Sequence, residues 1–183
     1  MHRMEGSRRR SREAGFTLVE LLIVVIILGI LAAIVVPQFG SSTSDAKLSA
    51  LDSTLAEMRG AIELYYHQHN GRYPGRYSDT DGTSAPADVA AAAVAFTKQL
   101  TQFTDGNGRT QNFADATYKY GPYLKKQALP NNPVDSGATP NALLINSGAT
   151  VGQIDATGTN AGGWWFDTTS GKFIANVAAY YGR

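Results

Sequence analysis

Hydrophobic and polar positions divide the chain into an apolar run, an amphipathic stretch and a mixed C-terminal part. The apolar run covers residues 16–36 and holds a single charged side chain, Glu20. As a helix that rises about 1.5 Å per residue, the run would be roughly 31 Å long, which is the thickness of the hydrocarbon core of a bilayer. The pattern therefore predicts that residues 16–36 form a membrane-spanning helix.

The amphipathic stretch, residues 37–70, predicts that this helix continues beyond the apolar run. Apolar side chains recur there at spacings of three and four residues, forming one stripe that consists of Leu48, Leu51, Leu55, Met58, Ile62 and Tyr65. Pro37 and Gly40 stand at the junction, and a proline inside a helix costs about 3 kcal/mol. One interpretation is that the helix ends at Pro37. The stripe favours the other interpretation, a single helix over residues 16–69 that is kinked near Pro37.

Residues 71–183 combine one further helical pattern with strand patterns that come late in the chain. The alanine-rich segment 86–104 predicts a helix, whose inward face is predicted to consist of Val89, Ala93, Phe96, Leu100 and Phe103. Residues 142–146 and the hairpin pattern of residues 163–176 predict strands, and the tail 177–183 is a candidate edge strand. The predicted fold class is α+β, with a long N-terminal helix packed against a small C-terminal antiparallel β-sheet and with a helical insertion.

Charge is distributed unevenly along the chain. Residues 1–15 carry five arginines and two glutamates, whereas the remaining residues carry 11 basic and 13 acidic groups. Because basic residues before an apolar run stay in the cytoplasm, the part after the run is expected outside the inner membrane. The slightly acidic remainder predicts no direct binding to nucleic acid. The absence of cysteine excludes disulfides and thiolate metal sites.

Glu20 is the most informative residue of the apolar run. A carboxylate within a membrane helix is costly, and such groups usually mark function with a partner nearby. A cut between Gly15 and Phe16 would supply that partner as a new α-amino group, within the same helix or on a neighbouring subunit. The alternatives are a secretory signal cleaved near Ala32-Ala33 and a plain signal anchor, and both leave Glu20 unexplained.

The sequence GFTLVELLIVV, which begins at Gly15, resembles the signal of type IV prepilins and type II secretion pseudopilins. The resemblance implies a pilin fold and a prepilin peptidase that cleaves after Gly15, removes residues 1–15 as a leader and methylates the new N-terminal Phe16. It also implies that Phe16 and Glu20 direct subunit assembly. In many assembled filaments of this family the helix melts near a corresponding proline. The candidate residues for a kink or for melting are Gly29, Pro37 and Gly40.

Two leading filament functions stay open on this resemblance, with a minor pilin at the filament tip as a further alternative. The chain is expected to be a structural subunit of a type IV pilus-like filament or, as the alternative, the major pseudopilin of a type II secretion system, which forms a periplasmic pseudopilus. The sequences GPYLKK, LPNNP, GGWWFD and TSGKF resemble heads of the G-type major pseudopilins. A membrane-anchored enzyme or sensor domain is a separate interpretation, but no catalytic constellation supports it, so no enzyme is predicted.

The resemblance also implies partners and a location. The expected partners are further copies of the chain in a homopolymer, a prepilin peptidase/N-methyltransferase, an inner-membrane platform protein and an assembly ATPase. The chain is expected to reside first in the bacterial inner membrane, with its head outside the cytoplasm. It is then expected in an extracellular pilus or a periplasmic pseudopilus.

The sequence predicts no cofactor and no metal site. Residues 79–82 and 105–108 resemble fragments of calcium loops, but neither has the bidentate glutamate that such loops require. His67 and His69 are two residues apart and point in different directions on a helix, so they cannot share a metal. Calcium stays an open alternative, because the pseudopilins that the chain resembles often bind it near the C-terminal loop. The acidic residues of that region are Asp135, Asp155 and Asp167.

Overall fold

The computed structural model describes residues 16–146 and 163–180, without the side chains of residues 35–42 and of Ala178. It divides into two compact units, with the boundary between Ser44 and Asp45. Some predictions lie outside the described residues, namely those on the leader and Gly15, on Asp155 and on the final residues of the tail.

One helix, α1 (Leu18–Gln68), accounts for both the apolar run and the amphipathic stretch. Its backbone is helical through Pro37 and Gly40, so the prediction of a single long helix is confirmed and the alternative end at Pro37 is wrong. The kink and the melting predicted near Pro37 stay predictions. Within the described residues, no helix combines the length and the apolar character needed to span a membrane. The span predicted over residues 16–36 thus also stays a prediction.

The end of α1 is set by a pair of left-handed backbone conformations. Asn70 and Gly71 have φ angles of 55° and 71°, and the N–H of Gly71 donates a 3.0 Å hydrogen bond to the carbonyl of Tyr66. This geometry satisfies a carbonyl that the last turn leaves unpaired, and it is most favourable for glycine and asparagine.

The second helix, α2 (Val89–Thr101), is shorter than the segment 86–104 that the alanine-rich pattern predicted. It begins after Asp88, whose Oδ1 accepts a 2.7 Å hydrogen bond from the N–H of Ala91 and thereby caps the first turn. It ends because the following residue, Gln102, has an extended backbone.

The inward face of α2 differs from the prediction by about one position at its N-terminal end. Phe96 and Leu100 are fully buried as predicted, but Val89 is 52% exposed and Phe103 belongs to a strand. The residues that the helix buries are Ala92, Ala95, Phe96, Gln99 and Leu100. These positions are i, i+3, i+4, i+7 and i+8, which lie on one face of a helix.

The strands form two small sheets. β1 (Phe103–Thr104) pairs antiparallel with β2 (Thr110–Gln111). β3 (Leu143–Asn146), β4 (Trp164–Asp167) and β5 (Phe173–Ala175) form a second sheet in that spatial order. β4 and β5 pair antiparallel, which confirms the predicted hairpin.

The three-stranded sheet is mixed, because β3 pairs parallel with β4. The predicted antiparallel arrangement thus holds for β4 with β5 but not for β3, and the pairing of β1 with β2 was not predicted. Parallel neighbours need a long connection and cannot be joined by a tight hairpin turn, and β3 and β4 are well separated in the sequence. The tail is also different from the prediction, since Ala178–Tyr180 forms a 3₁₀ turn instead of an edge strand.

The C-terminal half of α1 supplies one wall of the hydrophobic core in the second unit. The predicted stripe is confirmed for Leu51, Leu55, Met58, Ile62 and Tyr65, which are at most 2% exposed, whereas Leu48 is only partly buried. The sheet and α2 supply the remaining walls with large aromatic side chains, which are Phe96, Trp164, Phe166 and Phe173. The unit that begins at Asp45 is therefore an α+β head in which a helix packs on a small sheet.

Candidate assembly site on the N-terminal helix

The first unit presents an uncovered apolar surface. Every large apolar side chain from Phe16 to Ile34 leaves more than half of its surface exposed, and Phe16 itself is 83% exposed. Exposed apolar area of this extent is rare on soluble proteins and marks contact with lipid or with other protein. The surface therefore needs a covering that the described part of the chain does not supply.

Glu20 and Thr17 form a capping box at the start of α1. The Oε2 atom of Glu20 accepts hydrogen bonds of 2.8 Å from both the backbone N–H and the hydroxyl of Thr17. In return, the N–H of Glu20 donates a 3.2 Å hydrogen bond to the Thr17 hydroxyl. These reciprocal bonds satisfy two of the N–H groups that the first helical turn leaves free.

The capping box gives Glu20 a role within its own helix that the sequence interpretation missed. The signal was present, since a threonine followed three residues later by a glutamate is the pattern of a capping box. An ionised carboxylate offers about four acceptor positions, so Glu20 can hold Thr17 and still accept a hydrogen bond from an amine. Its predicted pairing with an amine at Phe16 stays a prediction.

The three residues predicted to kink or melt lie within α1. A methyl group added at Gly29 would meet no other atom within 4 Å, so nothing in the described part of this chain requires a glycine there. The backbone at Pro37 and Gly40 is helical. The predicted cleavage position, Gly15, lies outside the described residues.

The acidic loops of the head are hydrogen-bonded turns. Bonds from the hydroxyl of Ser84 and the backbone of Thr83 and Ser84 lower the pKa of Asp81 to about 2. Burial acts to raise the pKa of Asp105, but hydrogen bonds from Arg109 and Asn107 outweigh it, and the net pKa is lowered.

The candidate calcium ligands near the C-terminus are likewise engaged with their own backbone. Asp135 accepts bonds from the N–H groups of Gly137 and Gly163, and Asp167 accepts bonds from Thr169 and Ser170. Over residues 16–146 and 163–180, no group of three or more potential ligand side chains could hold a metal ion.

His69 is a buried structural residue next to the end of α1. Its ring stacks on Tyr65 with 3.7 Å between ring centroids, and its Nδ1 lies 2.8 Å from the Tyr65 carbonyl. Its Nε2 lies 3.0 Å from the hydroxyl of Thr104. Since a carbonyl only accepts, Nδ1 donates, and the neutral ring then accepts from the threonine hydroxyl at Nε2.

Comparison with known proteins gives one family-model match at the N-terminal helix and several similar proteins. A family model described as the prokaryotic N-terminal methylation motif matches residues 10–36. Type II secretion system core protein G of Pseudomonas aeruginosa is 42% identical over 57 residues, which are 31% of this chain and 40% of that protein. The core protein G of Aeromonas hydrophila is 32% identical over 104 residues, which cover 54% of this chain and 72% of that protein.

A type IV pilin is similar to the chain to a comparable degree. Type IV major pilin protein PilE1 of Neisseria gonorrhoeae is 35% identical over 82 residues, which cover 45% of this chain and 49% of that protein. The chain thus spans less than half of the length of two of these three relatives. No solved structure matches the chain. The methylation motif, the single long helix with its α+β head, and the extended match to core protein G together show that the chain belongs to the family of type IV pilins and type II secretion pseudopilins.

Proposed function

We propose that the chain is a structural subunit of a type IV pilus-like filament, in which the N-terminal halves of many α1 helices form the core. The observation that carries the proposal is the exposed apolar surface over residues 16–34, in which the carboxylate of Glu20 is the only charged side chain. In lipid and in a bundle of such helices the apolar side chains are equally well accommodated. Close packing and the one buried charge must therefore determine how subunits align.

The processing that precedes assembly is part of the proposal. A prepilin peptidase would cleave between Gly15 and Phe16 and methylate the new N-terminus, and the motif match at residues 10–36 supports this step. The resulting amine of Phe16 would pair with the carboxylate of Glu20 on a neighbouring subunit. The role is structural and not enzymatic. The chain would wait in the bacterial inner membrane, where a platform protein and an assembly ATPase would extract it.

The second candidate function is that of a major pseudopilin in a type II secretion system. The match to core protein G from Aeromonas hydrophila favours it, because this match covers 54% of this chain and 72% of that protein, whereas the match to the type IV pilin covers 45% and 49%. The two candidates predict the same subunit chemistry and differ in where the filament ends, at the cell surface or within the periplasm.

Mass spectrometry of filaments sheared from the cell surface, compared with the cell envelope fraction, tests the proposal. We expect an abundant chain in the sheared fraction that begins with N-methylated Phe16. The same processed N-terminus in the envelope alone would favour the secretion pseudopilin. An uncleaved chain, or one cleaved near Ala33, would contradict both candidate functions.

A further inference from the structure

A cavity of about 300 Å³ opens on the head, between the end of α1 and the turn that joins β4 to β5. Two arginines and three tyrosines line most of it, and we call it the arginine cavity. These residues are Arg72, Arg76, Tyr66, Tyr73 and Tyr77. Neither the capping box of α1 nor the apolar surface of the first unit involves this part of the head.

Neither guanidinium group of the arginine cavity has an acidic partner among the described residues. The ion pairs of that part of the chain are formed by Lys98 and Arg109. Arg72 lies over the ring of Tyr77, 4.8 Å from its centroid, and its Nη1 donates a 3.3 Å hydrogen bond to a backbone carbonyl. The exposed Arg76 makes a long contact of 3.4 Å with the hydroxyl of Thr169. These contacts orient the two side chains and use few of the five N–H groups that each arginine carries.

The tyrosine wall of the arginine cavity is held in place by the core. Tyr66 and Tyr73 are stacked with 4.4 Å between their centroids, and Tyr73 meets the buried Phe166 edge-on at 6.1 Å. Gly171 in the β4–β5 turn has a φ of 73°, and a methyl group there would overlap the Tyr73 ring. The ring therefore occupies space that only a glycine in the turn leaves open.

The carboxylates on the segments around the arginine cavity form no ion pair with its arginines within the described residues. Asp167 accepts hydrogen bonds from the backbone and hydroxyl groups of its own turn, and Asp81 accepts two from Thr83 and Ser84. Glu63 is exposed on α1 near Tyr73. Its negative charge repels an anion at this edge of the cavity. Replacing Glu63 by a neutral residue therefore changes the electrostatic potential of the cavity without changing its lining.

We propose that the arginine cavity binds an acidic saccharide, a sugar ring that carries a carboxylate or a sulfate. Guanidinium groups pair with such anions through two parallel hydrogen bonds. Tyrosine rings offer flat apolar faces for the C–H groups of a sugar, and the hydroxyls of tyrosine and threonine match its hydroxyl groups. A volume of about 300 Å³ lies at the small end of ligand pockets and suits one ring with its charged substituent.

Charge distribution favours a saccharide over a nucleic acid as the ligand. Proteins that bind single strands present a groove with many basic groups that follows the phosphate backbone over several nucleotides. Here the two arginines converge on one hollow, and the chain after residue 15 has a net excess of acidic groups. The proposal concerns the single head and holds for either kind of filament.

The test is a calorimetric titration of the full-length chain in detergent with trigalacturonate, and with neutral galactotriose as the uncharged counterpart. We expect binding of trigalacturonate and at least about tenfold weaker binding of galactotriose. Arg76→Gln is expected to weaken trigalacturonate binding about tenfold, because it removes one charge-assisted pair. Glu63→Gln is expected to strengthen it about twofold, because it removes a repulsive charge.

Lys172→Gln is the matched control, because it removes a positive charge from the same hairpin without altering the lining of the cavity. Its affinity for trigalacturonate should stay within twofold of that of the unchanged chain. Equal binding of both sugars, no binding of either, or an equal loss in Arg76→Gln and Lys172→Gln would overturn the proposal. Tight binding of a ten-nucleotide DNA strand that is lost in Arg76→Gln, without trigalacturonate binding, would replace the saccharide by a nucleic acid.

Discussion

At the scale of single residues, Thr17 is as important to the start of α1 as Glu20. Its hydroxyl both donates to the Glu20 carboxylate and accepts the Glu20 N–H. Thr17→Val keeps the shape of the side chain and removes both bonds. Because loss of such a cap costs about 1 kcal/mol, we expect the amides of the first turn to exchange about fivefold faster.

Hydrogen exchange of the full-length chain in detergent micelles measures this effect. Thr17→Ser keeps the hydroxyl and should exchange at the rate of the unchanged chain. If Thr17→Val exchanged at that same rate, the capping box would not contribute to the stability of the first turn.

His69 makes the stability of the head depend on pH. Burial lowers the pKa of His69 below its ordinary 6.5, although hydrogen bonds to Tyr65 and the charge of Asp105 act in the opposite direction. The unfolded chain therefore takes up a proton at a higher pH than the folded chain does. The contribution of His69 to the free energy of unfolding is expected to be constant above about pH 6.5. Below that value, the free energy of unfolding is expected to fall as the pH decreases.

Urea unfolding of the head in the full-length chain at pH 7.5 and at pH 5.5 checks the dependence. His69→Gln should be less stable at pH 7.5 and should lose less stability between the two pH values. His67→Gln, at an exposed position two residues earlier, should keep the full pH dependence. An identical pH response in His69→Gln and the unchanged chain would contradict the assignment.

At the scale of elements, the β4–β5 hairpin depends on one glycine. Gly171 has a φ of 73° and lies against the Tyr73 ring. Gly171→Ala combines an unfavourable backbone conformation with a steric overlap, so we expect a loss of about 2 kcal/mol or more in the free energy of unfolding. Gly106→Ala, where a methyl group meets no atom within 4 Å, is the control and should change stability little. Equal stability of the two variants in urea unfolding would contradict the prediction.

The elements that sequence could predict are those with local signals. The stripe on α1 has a 3.6-residue period, and the β4–β5 hairpin has turn residues between two apolar runs, so both were recognisable. The parallel pairing of β3 with β4 joins segments that are far apart in the chain and leaves no local pattern.

Buried polar residues were harder to predict for the same reason. Gln99 lies on the buried face of α2 because its side chain binds the N–H of Gly75 and the carbonyls of Gly108 and Tyr77. Those partners come from two loops on either side of α2 in sequence, so no spacing within the helix indicates them. The arginine cavity was missed in the same way, since its walls come from two distant segments.

At the scale of the whole molecule, α1 belongs to two compact units that differ in how much of the helix surface is buried. From Asp45 onward one face of the helix is buried in the head, whereas residues 16–34 leave their apolar side chains uncovered. A folded head therefore does not require the first unit to be covered, and filament assembly can change the surroundings of residues 16–34 alone. Variants in the first unit should consequently alter assembly without altering the unfolding of the head.

Glu20→Gln separates the two roles of the carboxylate, which are to cap α1 and to pair with an amine in the filament. The amide oxygen of glutamine can still accept the hydrogen bonds from Thr17, so the start of α1 should be retained. The charge that would pair with the Phe16 amine is lost, and an uncompensated amine in an apolar core is costly. We expect the yield of sheared filaments, measured by immunoblot, to fall at least about tenfold, while the amount of cleaved chain in the membrane stays constant. Glu57→Gln, at an exposed position in the head half of α1, should assemble normally. A normal yield from Glu20→Gln would show that the carboxylate acts as a helix cap and not as the charge that aligns subunits.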